Sequence, residues 1–271
     1  MKLDLGSPIA FIISAGAIIA GIVLLGGDLG RYLDPASAAL VVGPTIGTLF
    51  MSYPAKEVLN MSKHFKIILG MQRFNPLQYV DMMSGLAEKA RSQGLLALES
   101  EADQMSDEFV KNAAMMVADA MDAEIVETRL NNVLDAMTAR HMQAWVLYEK
   151  GAAYAPAFGM AATLVSLINM LMELNFEDAS GVASLGINMS AAMITTFYGT
   201  LLANLWFNPL VAKLKVYHKA EVDCKRIVIE GILAIQRGTN PRVVKEMLIE
   251  QIDPAVVRKA QKASPAAEAS E

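Results

Sequence analysis

Residues 153–166, "AYAPAFGMAATLVS", set Pro156, Gly159, Thr163 and Ser166 inside an apolar run without a single charge. Their spacings of three, four and three place all four on one stripe of a helix that turns about 100° per residue. A second stripe follows in Asn188, Ala192, Thr196, Gly199 and Ala203, with Thr195 beside it. Small residues such as Gly159 and Gly199 let helix backbones approach closely, and threonine in an apolar helix usually bonds its own backbone, so packing accounts for much of this pattern. The same residues also permit ion chemistry. Hydroxyl oxygens and freed carbonyls can replace water around a hard cation. Pro156 has no N–H and must leave one backbone carbonyl without its usual donor. An ion route nevertheless needs an ionisable group at membrane depth, and neither stripe has one. Either the chain carries no ions, or another chain supplies the carboxylate.

The elements that must position these stripes are membrane spans. Four stretches, roughly 8–27, 35–53, 153–172 and 186–210, are free of Asp, Glu, Lys, Arg and His and long enough to cross hydrocarbon. They form two hairpins, joined by "DLGRYLDP" (28–35) and "ELNFEDASG" (173–181). The outer flanks of the second pair carry Lys150 on one side and Lys213, Lys215, His218 and Lys219 on the other. The positive-inside tendency therefore predicts cytoplasmic flanks and cytoplasmic termini in a multi-pass inner-membrane protein. Lys2 before an apolar run imitates a signal peptide, but Pro8–Gly27 has full bilayer length and lacks a clear A-x-A cleavage site before Asp28, so the segment is expected to be retained.

The remaining sequence has helical periodicity. In "PLQYVDMMSGLAEKARSQG", Leu77, Val80, Met83, Leu86 and Ala90 recur at threes and fours, and Gly94 is a stop signal. Ser106 and Asp107 offer an N-cap before Phe109, and "RGTNPR" interrupts the long segment after the last span. The expected fold class is thus all-α: a polytopic membrane protein with four transmembrane helices in two hairpins and a helical cytoplasmic domain. The expected divisions are transmembrane hairpins at 1–53 and 151–210, cytoplasmic helices at 54–150 and 211–257, and a disordered tail at 258–271, where small polar residues dominate.

Composition excludes several functions. With 54% hydrophobic residues and a net charge of -5, the chain is too apolar for an ordinary soluble domain and offers no basic surface for nucleic acid. Cys224 stands alone, as a structural or free thiol, and His64, His141 and His218 are isolated, so neither a disulfide nor a metal site is expected. No dinucleotide fingerprint, P-loop, nucleophile elbow or H-E-x-x-H occurs, and no enzyme activity or cofactor is expected.

Taken together, the four spans around a large cytoplasmic insert, "YAPAFGMAATLVSL", "MITTFYGTLLANLWFNPLVAKL" and "IEGILAIQRGTNPRVV" resemble the MotA/PomA stator subunits of the bacterial flagellar motor over about residues 1–252. The combination is specific: Pro-x-x-Gly in the third span, Thr-Thr-x-Tyr-Gly in the fourth, Pro209 at its end, and Gly-x-Leu-Ala-Ile-Gln before Asn-Pro-Arg. "ARSQGLLALE" is similar to the rotor-facing segment of that family. The resemblance implies a homopentameric ring around a dimer of a MotB/PomB-type partner whose single membrane helix carries the essential aspartate. It also implies that Pro156 and Pro209 couple ion flow to conformational change, and that Arg91, Glu99 and Arg242 contact the rotor protein FliG. Ser92 and Ser100 depart from the family pattern, in which charged residues often stand. Asp34 resembles an acidic residue near the ion entrance of sodium-type members. Thr163 and Thr196, with Thr195 adjoining, match the hydroxyl-bearing positions of the sodium branch, so sodium is favoured over protons, although Ala162 and Ser166 replace glycines common there.

Two rivals remain. ExbB/TolQ-type energy-coupling subunits usually have three spans and an outside N-terminus, and the fourth span and "QRGTNPR" argue against them. A non-conducting membrane scaffold would show no ion flux beside a partner whose plug had been removed.

Overall fold

The computed structural model describes residues 6–69, 74–172 and 179–263, and the described residues form helices and turns without a strand. Helix α1 (Gly6–Leu24) leads through a 3-10 turn, Leu29–Tyr32, into α2 (Pro35–Ser52) and α3 (Ala55–Leu69). Three shorter helices follow, α4 (Pro76–Gln93), α5 (Ala97–Ala102) and α6 (Glu108–Ala118). Then come α7 (Ala123–Met172) and α8 (Ala179–Leu201), a π turn at Leu202–Phe207, α9 (Asn208–Gln236), α10 (Pro241–Ile249) and α11 (Pro254–Ala263).

Local chemistry explains the ends. Asp34, Asn75 and Asn240 each cap a helix whose first residue is proline, and Asp107 caps α6 by accepting from Phe109 N. These side chains satisfy amide groups that the first turn leaves without partners, and proline there gives up no hydrogen bond. At the other ends, Gly94 (φ 87°) and Gly238 (φ 71°) follow α4 and α9 in a left-handed conformation that costs glycine nothing. The disordered tail expected from residue 258 is corrected over 258–263, which continue α11. Val256, Val257 and Ala260 at helical spacing outweigh the polar composition there, and 264–271 lie outside the described residues.

The chain divides into two compact units, residues 1–72 with 141–216 and residues 73–140 with 217–271. Within the first, four helices are long and apolar enough to cross a membrane. Many of their large side chains, including Ile12, Leu24, Leu164, Ile168 and Met193, lie exposed on the surface, the arrangement expected of helices solvated by lipid. A small core of Leu49, Val58, Leu147, Tyr148, Ala155, Phe207, Leu210 and Val211 ties α2, α3 and α7 to the π turn and the start of α9. Glu173, Glu177 and Asp178 of the second hairpin loop lie outside the described residues.

The second unit has a conventional hydrophobic core. Val80, Met83 and Leu86 of α4 pack with Val110 and Val117 of α6, Val126 and Leu130 of α7, Val228 and Ile232 of α9, and Val244 and Leu248 of α10. Tyr79 donates to Asp107 Oδ2 at 2.8 Å. Burial first, then that hydrogen bond, pushes the phenol well above its usual range and keeps it neutral. Cys224 is fully buried, as a structural thiol should be. The units divide at 140/141 and 216/217, whereas hydropathy changes near 150 and 210. Helices α7 and α9 run unbroken through both changes, because backbone hydrogen bonding continues wherever the side chains change solvent.

Gly231 shows how tightly this core is packed. A Cβ added there would lie 2.6 Å from Met83 Cγ and 3.0 Å from Met83 Cβ, and Met83 is itself fully buried. Gly231→Ala is expected to destabilise the unit by about 1–3 kcal/mol through overpacking. Gly85, with nothing within 4 Å of its added Cβ, is the control: Gly85→Ala should match or slightly exceed wild type, since alanine favours a helix by about 1 kcal/mol. Thermal unfolding of the full chain in detergent compares the two.

Candidate functional site

The apolar hairpin α7–α8 holds the two stripes against each other. A Cβ on Gly199 would lie 2.7 Å from the Ala155 carbonyl oxygen and 3.2 Å from Pro156 Cα; one on Gly159 would lie 3.1 Å from the Thr195 carbonyl oxygen. Gly199 is therefore required for the backbones to approach this closely, and Gly159 eases the same crossing.

That approach brings the threonines together. Thr163 Oγ1 lies 2.7 Å from Thr196 Oγ1 and 3.1 Å from Thr195 Oγ1, and within 3.0 Å of both the Gly159 and Ala192 carbonyls. Thr195 Oγ1 in turn donates to Ala192 O at 2.8 Å. Three hydroxyls and two carbonyls thus share one node, and each hydroxyl has a single proton to donate but two lone pairs. Acceptor capacity exceeds donor supply, and the surplus lone pairs suit a cation. Thr195 is fully buried, whereas Thr196 is exposed, so the node is closed at one end and open at the other. Ser166 stays out of it, donating to its own helix at Ala162 O, 3.2 Å away.

Asp34 occupies a separate cluster. Its carboxylate accepts from Ala36 N at 3.2 Å, Ser37 N at 3.1 Å and the Ser37 hydroxyl. Its own N–H donates to Tyr198 OH at 3.1 Å, and that hydroxyl donates to the Tyr32 carbonyl. Tyr198 thereby straps the loop between α1 and α2 to α8, two residues beyond Thr196. Sequence reasoning named Asp34 but missed Tyr198 and Ser37. The available signals were the tyrosine of Thr-Thr-x-Tyr-Gly and the serine of Asp-Pro-x-Ser, the pattern of a capped helix start.

The prolines take different settings. Pro156 lies within α7, and its missing N–H leaves the Ala152 carbonyl without a helical donor. Pro209 follows the π turn, in which Asn208 N donates to Ala203 O, five residues back. The wider turn gives room to the carbonyl that a proline ring would otherwise strike. Hydropathy and motif spacing carry no sign of this turn.

Arg91, Glu99 and Arg242 belong to the second unit and all three are exposed. Arg91 is in the last turn of α4, Glu99 in the first turn of α5, and Arg242 follows the Asn240 cap of α10. None of the three makes an ion pair with another described residue, whereas Lys89 pairs with Glu101 at 2.5 Å and Lys245 with Asp81 at 2.8 Å. Ser92 and Ser100 turn their hydroxyls back onto Glu88 O and Ala97 O, each at 2.9 Å. Among the described residues no group of His, Cys, Asp and Glu could hold a metal ion.

Residues 8–94 match the Motility protein A N-terminal family, and residues 101–227 match the MotA/TolQ/ExbB proton channel family. Motility protein A of Treponema phagedenis is 38% identical, with 93% of this chain and 95% of that protein covered. Chemotaxis protein PomA of Vibrio alginolyticus is 30% identical, with 88% and 91% covered. Among solved structures, the flagellar MotAB stator complex from Bacillus subtilis aligns with a TM-score of 0.83 at 27% identity, with 94% of this chain and 98% of that one covered. The chain belongs to the MotA/PomA family of flagellar stator subunits, channel proteins of the MotA/TolQ/ExbB type and not enzymes.

Proposed function

We propose that this subunit couples sodium flow across the inner membrane to torque on the rotor. The observation that carries the reading is the node of Thr163, Thr195 and Thr196, where neutral oxygens converge in spans without an ionisable side chain. The titrating carboxylate then comes from a MotB/PomB-type partner, as the MotAB composition of the similar Bacillus subtilis complex supports. A homopentamer surrounds a dimer of that partner, with all termini of this subunit in the cytoplasm.

Sodium entering from the periplasm passes the negative charge of Asp34 and reaches the open, Thr196 side of the node. There it neutralises the partner's aspartate and relieves the cost of holding a carboxylate in a low-dielectric site. Each ion falling through 100 mV makes about 2.3 kcal/mol available, enough to bias one step of the ring. Pro156 and Pro209 stand where α7 and the fourth span can bend during that step. Arg91, Glu99 and Arg242, exposed and without an ion-pair partner among the described residues, transmit it to FliG through charge contacts that set orientation.

Flux measurement tests this reading. The chain, co-expressed with a plug-deleted partner, is expected to pass cations that follow the sodium gradient, and to pass none when expressed alone or when the partner's aspartate is replaced by asparagine. Flux that follows only the proton gradient would overturn the sodium assignment; no flux at all would leave the scaffold reading standing instead.

A further inference from the structure

The fourth span carries a line of polar side chains of which the threonine node is only the start. Thr196, Thr200, Asn204 and Asn208 recur at every fourth residue, and all four are exposed. Each is joined to the next. Thr200 Oγ1 donates to Thr196 O at 2.9 Å, Asn204 Nδ2 to Thr200 O at 3.1 Å, and Asn208 Nδ2 to Asn204 Oδ1 at 3.0 Å. The line opens at the exposed side of the node, where Thr196 Oγ1 meets Thr163 Oγ1 at 2.7 Å. Beyond its other end at Asn208, Lys213 is the first charged residue.

The backbone keeps these groups in register. In a regular α-helix the fourth residue along lies about 40° further round than the first, so a line of four would drift to another face. The π turn at Leu202–Phe207 checks that drift, because hydrogen bonds to the fifth residue widen the turn and reduce the rotation per residue. Asn204 lies within this turn and Asn208 just past it, and their amides meet. The result is one polar face about 18 Å long at helical rise. Thr200 spends its hydroxyl on its own helix, as threonines in apolar helices do. The asparagines keep capacity in reserve: Asn204 Oδ1 takes one hydrogen bond from the line and can take two, and Asn208 Oδ1 takes none from it. Hydrocarbon would penalise such a face, which belongs against water or a polar partner.

We propose that Thr200, Asn204 and Asn208 line the exit by which the cation leaves the threonine node for the cytoplasm, their oxygens replacing part of its water on the way. The inference rests on the ion-flow reading above and extends it from where the ion binds to how it departs. An exit limits the greatest rate of transport, whereas the node sets affinity, so saturation measurements separate the two.

The test uses the full chain with a plug-deleted, cysteine-free partner in inverted membrane vesicles, reading sodium flux against sodium concentration. Copurification with the partner shows assembly. Asn204→Leu and Asn208→Leu should each lower the maximal flux by about tenfold, about 1.4 kcal/mol of added barrier. Their half-saturating sodium should move by less than about twofold. Asn204→Ser keeps an oxygen and should recover most of the flux, while Thr163→Ala should instead raise the half-saturating concentration. Asn208→Cys should react with a charged, impermeant methanethiosulfonate reagent and lose flux as it does so. Leu164→Cys, at an apolar position 62% exposed, should not react, and wild type, whose Cys224 is fully buried, supplies the background. Assembled leucine variants with wild-type maximal flux overturn the proposal. So does an Asn208→Cys variant that assembles without reacting, since it would assign the line to packing against the partner. Absence of cation flux in wild type would instead overturn the ion-flow reading, and the exit with it.

Discussion

Thr163→Ala is expected to remove most sodium-driven swimming at the sodium concentration that half-saturates wild type, while the stator still assembles. Thr163 Oγ1 takes part in every close oxygen contact of the node except that between Thr195 Oγ1 and Ala192 O. Its loss removes one neutral ligand and separates the other two hydroxyls from their shared neighbour. A tenfold rise in the sodium needed for half-maximal speed, about 1.4 kcal/mol, is the smallest effect that reading allows. Folding should survive, because Thr195 keeps its own bond to Ala192 O at 2.8 Å and exposed Thr196 can turn to water. Thr163→Ser restores an oxygen at the same place and should recover most of the speed. Undiminished swimming of the alanine variant at low sodium would defeat the sodium assignment, whereas failure of serine to rescue would assign the position to packing.

The second large effect lies at the helix crossing. Gly199→Ala adds one methyl group, whose nearest neighbour would be the Ala155 carbonyl oxygen at 2.7 Å. That neighbour is backbone and can retreat only if α7 moves. Overpacking costs about 1–3 kcal/mol and exceeds the gain of about 1 kcal/mol from replacing a helical glycine. The displacement would also stretch the 2.7 Å contact between Thr163 and Thr196, so motility should be lost together with stability. Gly159→Ala has its nearest contact at 3.1 Å; the two terms then nearly cancel, and this variant should melt close to wild type. Thermal unfolding in detergent and swimming assays together check the order, which fails if Gly159→Ala proves the more damaging.

Much of the molecule was legible in advance because a bilayer imposes strong rules. Uncharged stretches of sufficient length announced the spans, and period-three-and-four patterns announced α4, whose Val80, Met83 and Leu86 are buried as expected. Caps and stops were equally local: Asp107, Gly94 and Asn240 with Pro241 act over one turn of chain. The site was half legible. The stripes containing Thr163 and Thr196 came from spacing alone, but spacing could not show that Ser166 bonds backward into its own helix or that Thr195 is buried. Side-chain rotamer and helix facing decide those points, and both depend on the neighbour.

By itself, then, the sequence determined the solvent of each segment, the helical period, the helix ends and the family, because these follow from side-chain transfer energies and from chemistry within a few residues. Tertiary structure alone decided that α4, α6, α9 and α10, distant in sequence, share one core with the N-terminal part of α7. It also decided that α7 and α9 pass unbroken between two units, that Tyr198 straps Asp34, and that three hydroxyls meet at one point. Those outcomes depend on how closely two backbones approach across space, and Gly159 and Gly199 set that distance only once their helices are packed together.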